Sequence, residues 1–157
     1  SQIGNGGGKL WDVAAMVLFV CMVADPIIHC TQQAIAPREV EMITSVLKPM
    51  SEEIKPDDYV YVHMPAGLGY QFYSPKFGIT NPVKRGNAKQ VEKDENLPHV
   101  LGMRRVWFVF SHSSESGDHN YHHSYITYLK DHGGQPIKTY HRSEAYATLM
   151  DLSEAKF

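Results

Sequence analysis

The sequence predicts an α/β fold: a small, mostly parallel sheet flanked by helices, with a C-terminal antiparallel hairpin and a hydrophobic helix ahead of it. Three observations lead to this prediction. Runs rich in aromatic and β-branched residues alternate with amphipathic stretches, which is typical of parallel strands joined by right-handed crossovers. The last two runs, 137–141 and 145–152, are too close together for a crossover and predict the hairpin. Residues 10–30 are mostly apolar.

Length and composition are those of one ordinary globular domain. The chain has 157 residues, of which 43% are hydrophobic and 20% are charged, so it can bury a core and is not expected to be disordered. Its formal net charge of -2 lacks the basic excess of nucleic-acid-binding proteins, and we expect no nucleic-acid partner. The two cysteines, Cys21 and Cys30, are too few for a disulfide framework or a four-cysteine zinc site.

The N-terminal region predicts a flexible loop at 1–9 and a hydrophobic helix at 10–30. Residues 13–24 carry no charge and show no polar stripe, unlike a helix on the surface of a soluble domain. As a helix, the stretch 10–28 would span roughly 28 Å, close to the thickness of a bilayer core. Trp11 stands where an interfacial anchor would. We therefore predict a transmembrane helix, with a cleaved signal peptide and a buried core helix as the alternatives.

The chain that follows predicts a helix, a strand and a second helix. Apolar residues recur at helical spacing across 38–55, although Pro49 should kink or interrupt that helix. The YVYVHM sequence of 59–64 is rich in aromatic and β-branched residues and predicts a buried strand. Residues 69–73 predict a short aromatic helix after a tight turn.

The second half predicts a further strand and helix before the hairpin. Residues 74–96 are polar and predict a long loop, with a short strand around Val83. The RVWFVF sequence of 105–110 is the clearest strand in the chain. A helix is predicted over 119–131, capped by Asp118 and closed by the glycine pair that follows it.

Three patterns fall short of a catalytic or nucleotide-binding motif. Gly67 and Gly69 lie between a strand and a helix, as in a dinucleotide loop, but Phe72 stands where the third glycine belongs. The serines after the RVWFVF strand lack the Gly-x-Ser-x-Gly elbow of hydrolases. The adjacent carboxylates Asp57 and Asp58 follow a proline in a turn, and we expect them to be a solvated cap.

Histidines are concentrated in one segment. Of nine in the chain, five lie between 112 and 132, and three of these, His119, His122 and His123, share one face of the predicted helix. Two of them and His112 could ligate one metal ion, but no HExxH or HxH signature and no nearby cysteine supports that. We expect an unliganded polar helix face, no metal and no cofactor; a metal-dependent enzyme built on this cluster is an alternative.

A cluster of aromatic and histidine residues is the candidate substrate-binding site. In open α/β sheets ligands bind at the carboxyl ends of the parallel strands. The residues expected to gather there, near two adjacent strands, are Tyr61, His63, Tyr70, Tyr73 and His112. Rings with polar tips suit contact with a sugar or a lipid headgroup, and they equally suit packing in a core.

Three segments resemble one known family. They are the sequence PREVEMITSVLKPMSEEIKPDDYVYVHMPAGLGYQFYSP of 37–75, the sequence RRVWFVFSH of 104–112 and the sequence YATLMDL of 146–152. These segments are similar to the soluble C-terminal domain of polytopic membrane glycosyltransferases, the dolichyl-phosphate-mannose-protein mannosyltransferase-like enzymes of the C superfamily. The resemblance covers 10–157; Pro49 and the histidine-rich segment depart from the family pattern.

The resemblance implies a position and a role. Residues 10–28 would be the last transmembrane helix of a longer protein, and 31–157 an extracytoplasmic (periplasmic) α/β domain. Its partners would be membrane lipid, its own upstream transmembrane domain, and the polyprenyl-phosphate sugar donor and the acceptor of the parent enzyme. Because the family's catalytic acidic residues belong to an early loop of the membrane part, we assign no catalytic residue here and expect a binding and positioning role. A membrane-tethered binding module with no enzymatic activity is the alternative.

Overall fold

The computed structural model describes residues 13–19, 22, 42–113 and 120–156. The chain forms two compact units, 1–40 and 41–157. In the first, 13–19 are helical and their side chains are exposed. No helix in the described part of the chain has the length and hydrophobicity to cross a bilayer. The predicted loop at 1–9, most of the predicted hydrophobic helix at 10–30, and Asp118 lie outside the described residues.

The second unit has the predicted order of helices and strands. Its elements are α1 (Met42–Glu53), β1 (Tyr59–Val62), α2 (Gly67–Tyr73), β2 (Val83–Arg85), β3 (Val106–Phe110), α3 (Tyr121–Asp131), β4 (Gln135–Arg142) and β5 (Ala145–Asp151). Single turns of 3-10 helix lie on either side of α2, at Met64–Ala66 and Ser74–Phe77, and in the loop between β2 and β3, at Val91–Lys93 and Leu97–Val100. The α/β fold class is thereby confirmed.

The five strands form one mixed sheet in the order β2-β1-β3-β5-β4. Strand β1 runs parallel to β2 and β3, whereas β5 runs antiparallel to both β3 and β4. The predicted hairpin is confirmed, but the prediction of a mostly parallel sheet was wrong, because the antiparallel ladders involve the longest strands. The antiparallel ladders arise because β5 turns back after β4 and pairs with β3, so that β4, not β5, forms the edge of the sheet.

Strand β3 separates two hydrophobic layers. All five of its side chains are fully buried. Because successive side chains point to opposite faces, Trp107 and Val109 pack with α1 and α2, while Val106, Phe108 and Phe110 pack with α3 and the loop that precedes β3. A strand that is covered on both faces has a nearly continuous run of apolar residues in its sequence, and this explains the apolar pattern of RVWFVF.

Two details of the helices differ from the sequence predictions. Helix α1 continues through Pro49 to Glu53, so the expected interruption does not occur. Its buried face carries Ile43, Val46, Leu47 and Met50. Helix α3 begins at Tyr121, and its N-cap is Asn120, whose side chain accepts a hydrogen bond from the backbone N–H of His123. The structure thus replaces the predicted Asp118 cap by Asn120.

Asp58 ties the sheet to the turn before it. The carboxylate is fully buried and accepts hydrogen bonds from Arg105 Nε at 2.5 Å and Nη2 at 2.9 Å. It also accepts from Trp107 Nε1 at 2.9 Å and from the backbone N–H of Lys55 at 3.0 Å. The prediction of a solvated pair was therefore wrong for Asp58, while Asp57 is exposed. Burial alone would raise the pKa of Asp58, but these donors outweigh it and the pKa lies below its ordinary value of 3.8.

We expect Asp58→Ala to lower the free energy of unfolding by about 3 kcal/mol, because it leaves the Trp107 indole N–H and the Arg105 guanidinium without their acceptor. Since the folded pKa of Asp58 is depressed, its contribution is present above pH 3.8 and is lost as the pH falls through the folded pKa. Urea denaturation at pH 7 and pH 3 measures both effects. The matched control is Asp57→Ala, which should change stability by under about 0.5 kcal/mol; equal losses in the two variants would contradict the account.

Candidate functional site

The carboxyl ends of the three parallel strands meet at one edge of the sheet. His63 directly follows β1, Gly86 follows β2, and Ser111 follows β3. Ser113 connects this edge to its surroundings, because its Oγ accepts a hydrogen bond from the backbone N–H of His122 in α3 and its own N–H donates to the carbonyl of Glu144. This edge is the place where open α/β sheets bind ligands.

A buried polar cluster lies beneath α3 at this edge. We call it the Asp94 cluster, and its members are Tyr61, His63, Asp94 and Tyr125. The Asp94 carboxylate is 4% exposed and accepts a hydrogen bond from Tyr125 Oη at 2.6 Å. It also accepts from the backbone N–H groups of Asn96 at 3.1 Å and Asn87 at 3.4 Å. Burial, together with this carboxylate, raises the pKa of both tyrosines, so the phenols stay protonated.

Gly86 allows the backbone to lie close to this cluster. A Cβ atom at this position would lie 2.6 Å from Asp94 Oδ2 and 3.1 Å from Tyr61 Oη. Any larger side chain would therefore displace the carboxylate. The loop that follows β2 can reach across the cluster because residue 86 has no side chain, and the carbonyl of Ala88 in that loop accepts a second hydrogen bond from Tyr125 Oη at 3.1 Å.

His63 is buried, and the described part of the chain leaves its ring nitrogens unsatisfied. The residue is fully buried, and neither ring nitrogen has a hydrogen-bond partner among the described residues. Its ring packs against Phe110, Tyr121 and Tyr125 at centroid distances of 4.9–5.3 Å. Burial lowers the pKa of His63 to about 4, opposed only in part by the nearby backbone of Lys89 and the Asp94 carboxylate. A buried polar group with no partner costs stability. The neutral imidazole of His63 can donate one hydrogen bond and accept another, and the described residues use neither.

A cavity of about 320 Å³ opens beside this cluster. Residues of the loop between β2 and β3 and of α3 line it: Lys89, Gln90, Val91, Glu92, Tyr121 and Ser124. Tyr121 connects the two features, since it lines the cavity and its ring centre lies 4.9 Å from that of His63. The lining offers an ammonium, a carboxylate, an amide and a hydroxyl group around one aromatic ring.

The sheet divides the candidate residues that the sequence indicated. It brings Tyr61 and His63 together under α3, where both are fully buried. Tyr70 and Tyr73 pack on the opposite face with α1. His112 is exposed at the end of β3, with a left-handed φ of 56°. The five residues thus do not line one cleft, and their substrate-binding role stays a prediction.

The histidines of α3 have separate environments. His122 Nε2 lies 2.9 Å from Thr148 Oγ1, and its ring stacks on that of Tyr146 at a centroid distance of 4.0 Å. His141 also stacks on Tyr146, at 4.2 Å. His123 is exposed, and His119 lies outside the described residues. Burial lowers the pKa of His122 to about 4. Within the described ranges, no group of three or more potential ligands is placed to hold a metal ion.

The sequence did not indicate Asp94 or Tyr125 as site residues. Asp94 lies in the segment 74–96, which was predicted only to be a polar loop, and Tyr125 lies within the helix predicted over 119–131, where no site residue was expected. The two residues are 31 positions apart, so no local pattern connects them. Comparisons of this chain with family models, curated proteins and solved structures found no match.

We expect His63→Phe to remove a pH-dependent loss of stability. In the unfolded chain His63 takes up a proton near pH 6.5, whereas in the folded chain it does so only near pH 4. The free energy of unfolding is therefore highest above pH 6.5 and falls as the pH drops from 6.5 to 4. The variant should regain roughly 3 kcal/mol at pH 4 relative to the original chain. At pH 7.5 it should gain about 1 kcal/mol, because an unpartnered polar group leaves the core.

Urea denaturation between pH 7.5 and 4 measures the effect. The matched control is His123→Phe, the same change at an exposed histidine, which should leave the pH dependence unaltered. His122 titrates in the same range, so part of the slope persists in both variants. If His63→Phe is less stable at pH 7.5 and keeps the full slope, the imidazole is not an unpartnered core group.

Proposed function

We propose that this chain is the C-terminal, extracytoplasmic domain of a polytopic membrane glycosyltransferase, and that it binds and positions a sugar-bearing molecule without catalysing the transfer. The parent enzyme transfers a sugar from a polyprenyl-phosphate donor to an acceptor. Residues 10–28 anchor the domain as a transmembrane helix. The proposal builds on the resemblance of 37–75, 104–112 and 146–152 to that family's soluble domain.

The observation that carries the binding role is His63, which has no hydrogen-bond partner among the described residues and packs directly behind Tyr121, a residue of the cavity wall. A folded domain that keeps an unsatisfied imidazole in its core gives up stability, and such costs concentrate at functional sites. The imidazole also needs no change of protonation to accept or donate a hydrogen bond at neutral pH, because its pKa is about 4.

The lining of the cavity favours one neutral sugar unit. Its volume is at the lower end of the roughly 300–1,000 Å³ typical of small-molecule sites. Lys89 and Glu92 offer opposite charges, and Gln90 and Ser124 both donate and accept hydrogen bonds. Such a set matches the alternating donors and acceptors of a polyhydroxyl ligand better than it matches an anion, and Tyr121 contributes an aromatic side chain to the lining.

The role is tested by titrating the chain with mannose and other hexoses and following backbone amide shifts by NMR. We expect shifts of the residues that line the cavity, and weaker binding by Gln90→Ala, roughly fivefold for one lost hydrogen bond. Gln135→Ala, which removes an exposed amide on β4, is the matched control and should bind like the original chain. Equal affinities of the two variants, or shifts confined to the other face of the sheet, would contradict the proposal.

The absence of catalysis is a separate expectation. With a short-chain polyprenyl-phosphate mannose as donor, the chain alone should release no mannose and transfer none to a peptide acceptor. Turnover by the chain alone would contradict the assignment. The gene sequence that precedes the codon for Ser1 distinguishes the two membrane hypotheses: further hydrophobic spans with an early acidic pair support the glycosyltransferase, and their absence supports a tethered binding module.

A further inference from the structure

Helix α2 and the turn before it expose an apolar face. Met64, Leu68 and Phe72 are spaced four residues apart, so they lie along one side of consecutive helical turns. Their exposed fractions are 42%, 83% and 60%. The other side of α2 is committed to the core, because Tyr70 packs against α1 and β1. Three exposed large apolar side chains in a row form a patch of the kind that marks a contact surface.

The segment that carries this face has charge of one sign. Between Tyr59 and Val91 the chain has four lysine and arginine residues and not a single aspartate or glutamate, although the whole chain carries a net charge of -2. Two of these cations lie at the apolar face itself. Lys76 Nζ lies 3.8 Å from the ring centre of Phe72, and Arg85 Nη2 donates a hydrogen bond to Gln71 at 3.0 Å.

We propose that the face formed by Met64, Leu68 and Phe72 rests on an anionic lipid surface, with Lys76 and Arg85 at the level of the headgroups. An apolar stripe of aliphatic and aromatic side chains bordered by cations is the composition of helices that lie in the plane of a membrane interface. The charge pattern favours acidic lipid over a protein partner, since the segment 59–91 carries four cations and no carboxylate of its own. The inference rests on the membrane location in the proposed function, and on no part of the sugar-binding role.

The test places a fluorescent reporter on the face. In the full chain reconstituted into vesicles, Leu68→Trp is compared with Ile137→Trp, the same kind of change at a 52% exposed apolar residue of β4. The emission of the unsubstituted chain, which contains Trp11 and the buried Trp107, is subtracted. Vesicles contain brominated phosphatidylcholine, with or without phosphatidylglycerol. We expect Leu68→Trp to be quenched at least about twofold more than Ile137→Trp when phosphatidylglycerol is present.

Charge reversal tests whether the two cations hold the face on the anionic lipid surface. Lys76→Glu and Arg85→Glu, combined with Leu68→Trp, should reduce the quenching to the level of the Ile137→Trp variant, because both cations are exposed and reversal removes their attraction to the headgroups. Quenching that is equal at positions 68 and 137, or unchanged without phosphatidylglycerol, would overturn the proposal. A blue shift of the Leu68→Trp emission with rising protein concentration and no lipid would also overturn it and assign the face to a second copy of the chain. Sugar binding is measured separately, so either idea can fail alone.

Discussion

The buried position of β3 is the constraint on which the rest of the second unit depends. With β1 on one side and β5 on the other, the strand has no open edge, and both of its faces are covered by helices or loops. Polar groups near such a strand must be satisfied inside the fold. Asp58 meets this requirement at the amino end of β3, where it accepts from the guanidinium of Arg105 and the indole of Trp107, and so joins the strand to the turn before β1.

The carboxyl end of the same strands meets the requirement only in part. Asp94 is satisfied by Tyr125 and two backbone N–H groups, whereas His63, which is also buried, has no partner within the part of the chain that the structure describes. At the amino end the buried Asp58 is satisfied, whereas at the carboxyl end the His63 imidazole and the Tyr61 hydroxyl have no partner among the described residues, so the two ends of the core differ. We call this difference the unevenness of the core. The unevenness coincides with the edge at which open α/β sheets bind ligands and with a cavity lined by mixed polar groups. This coincidence is the physical basis of the proposed binding role.

The sequence predicted the elements that are determined by local sequence patterns. Strands β1 and β3 appeared as aromatic and β-branched runs, and the hairpin as two runs with a short gap. It did not predict the insertion of β5 beside β3, because strand pairing is decided by distant segments. Nor did it predict the burial of Asp58, whose partners lie 47 and 49 residues away. The grouping of Tyr61 with Tyr70 failed for a different reason: the second residue lies on a helix that packs on the opposite face.

The central claim is that His63 is a neutral, unpaired imidazole kept for a ligand. The most direct measurement is the ring ¹⁵N NMR spectrum of His63, followed from pH 7.5 to 3.5 with and without saturating mannose. The account predicts a pKa near 4 in the free chain and a clear change of the ring nitrogen shifts when the sugar is added. Titration near the ordinary value of 6.5, with ring shifts that ignore the sugar, would contradict it.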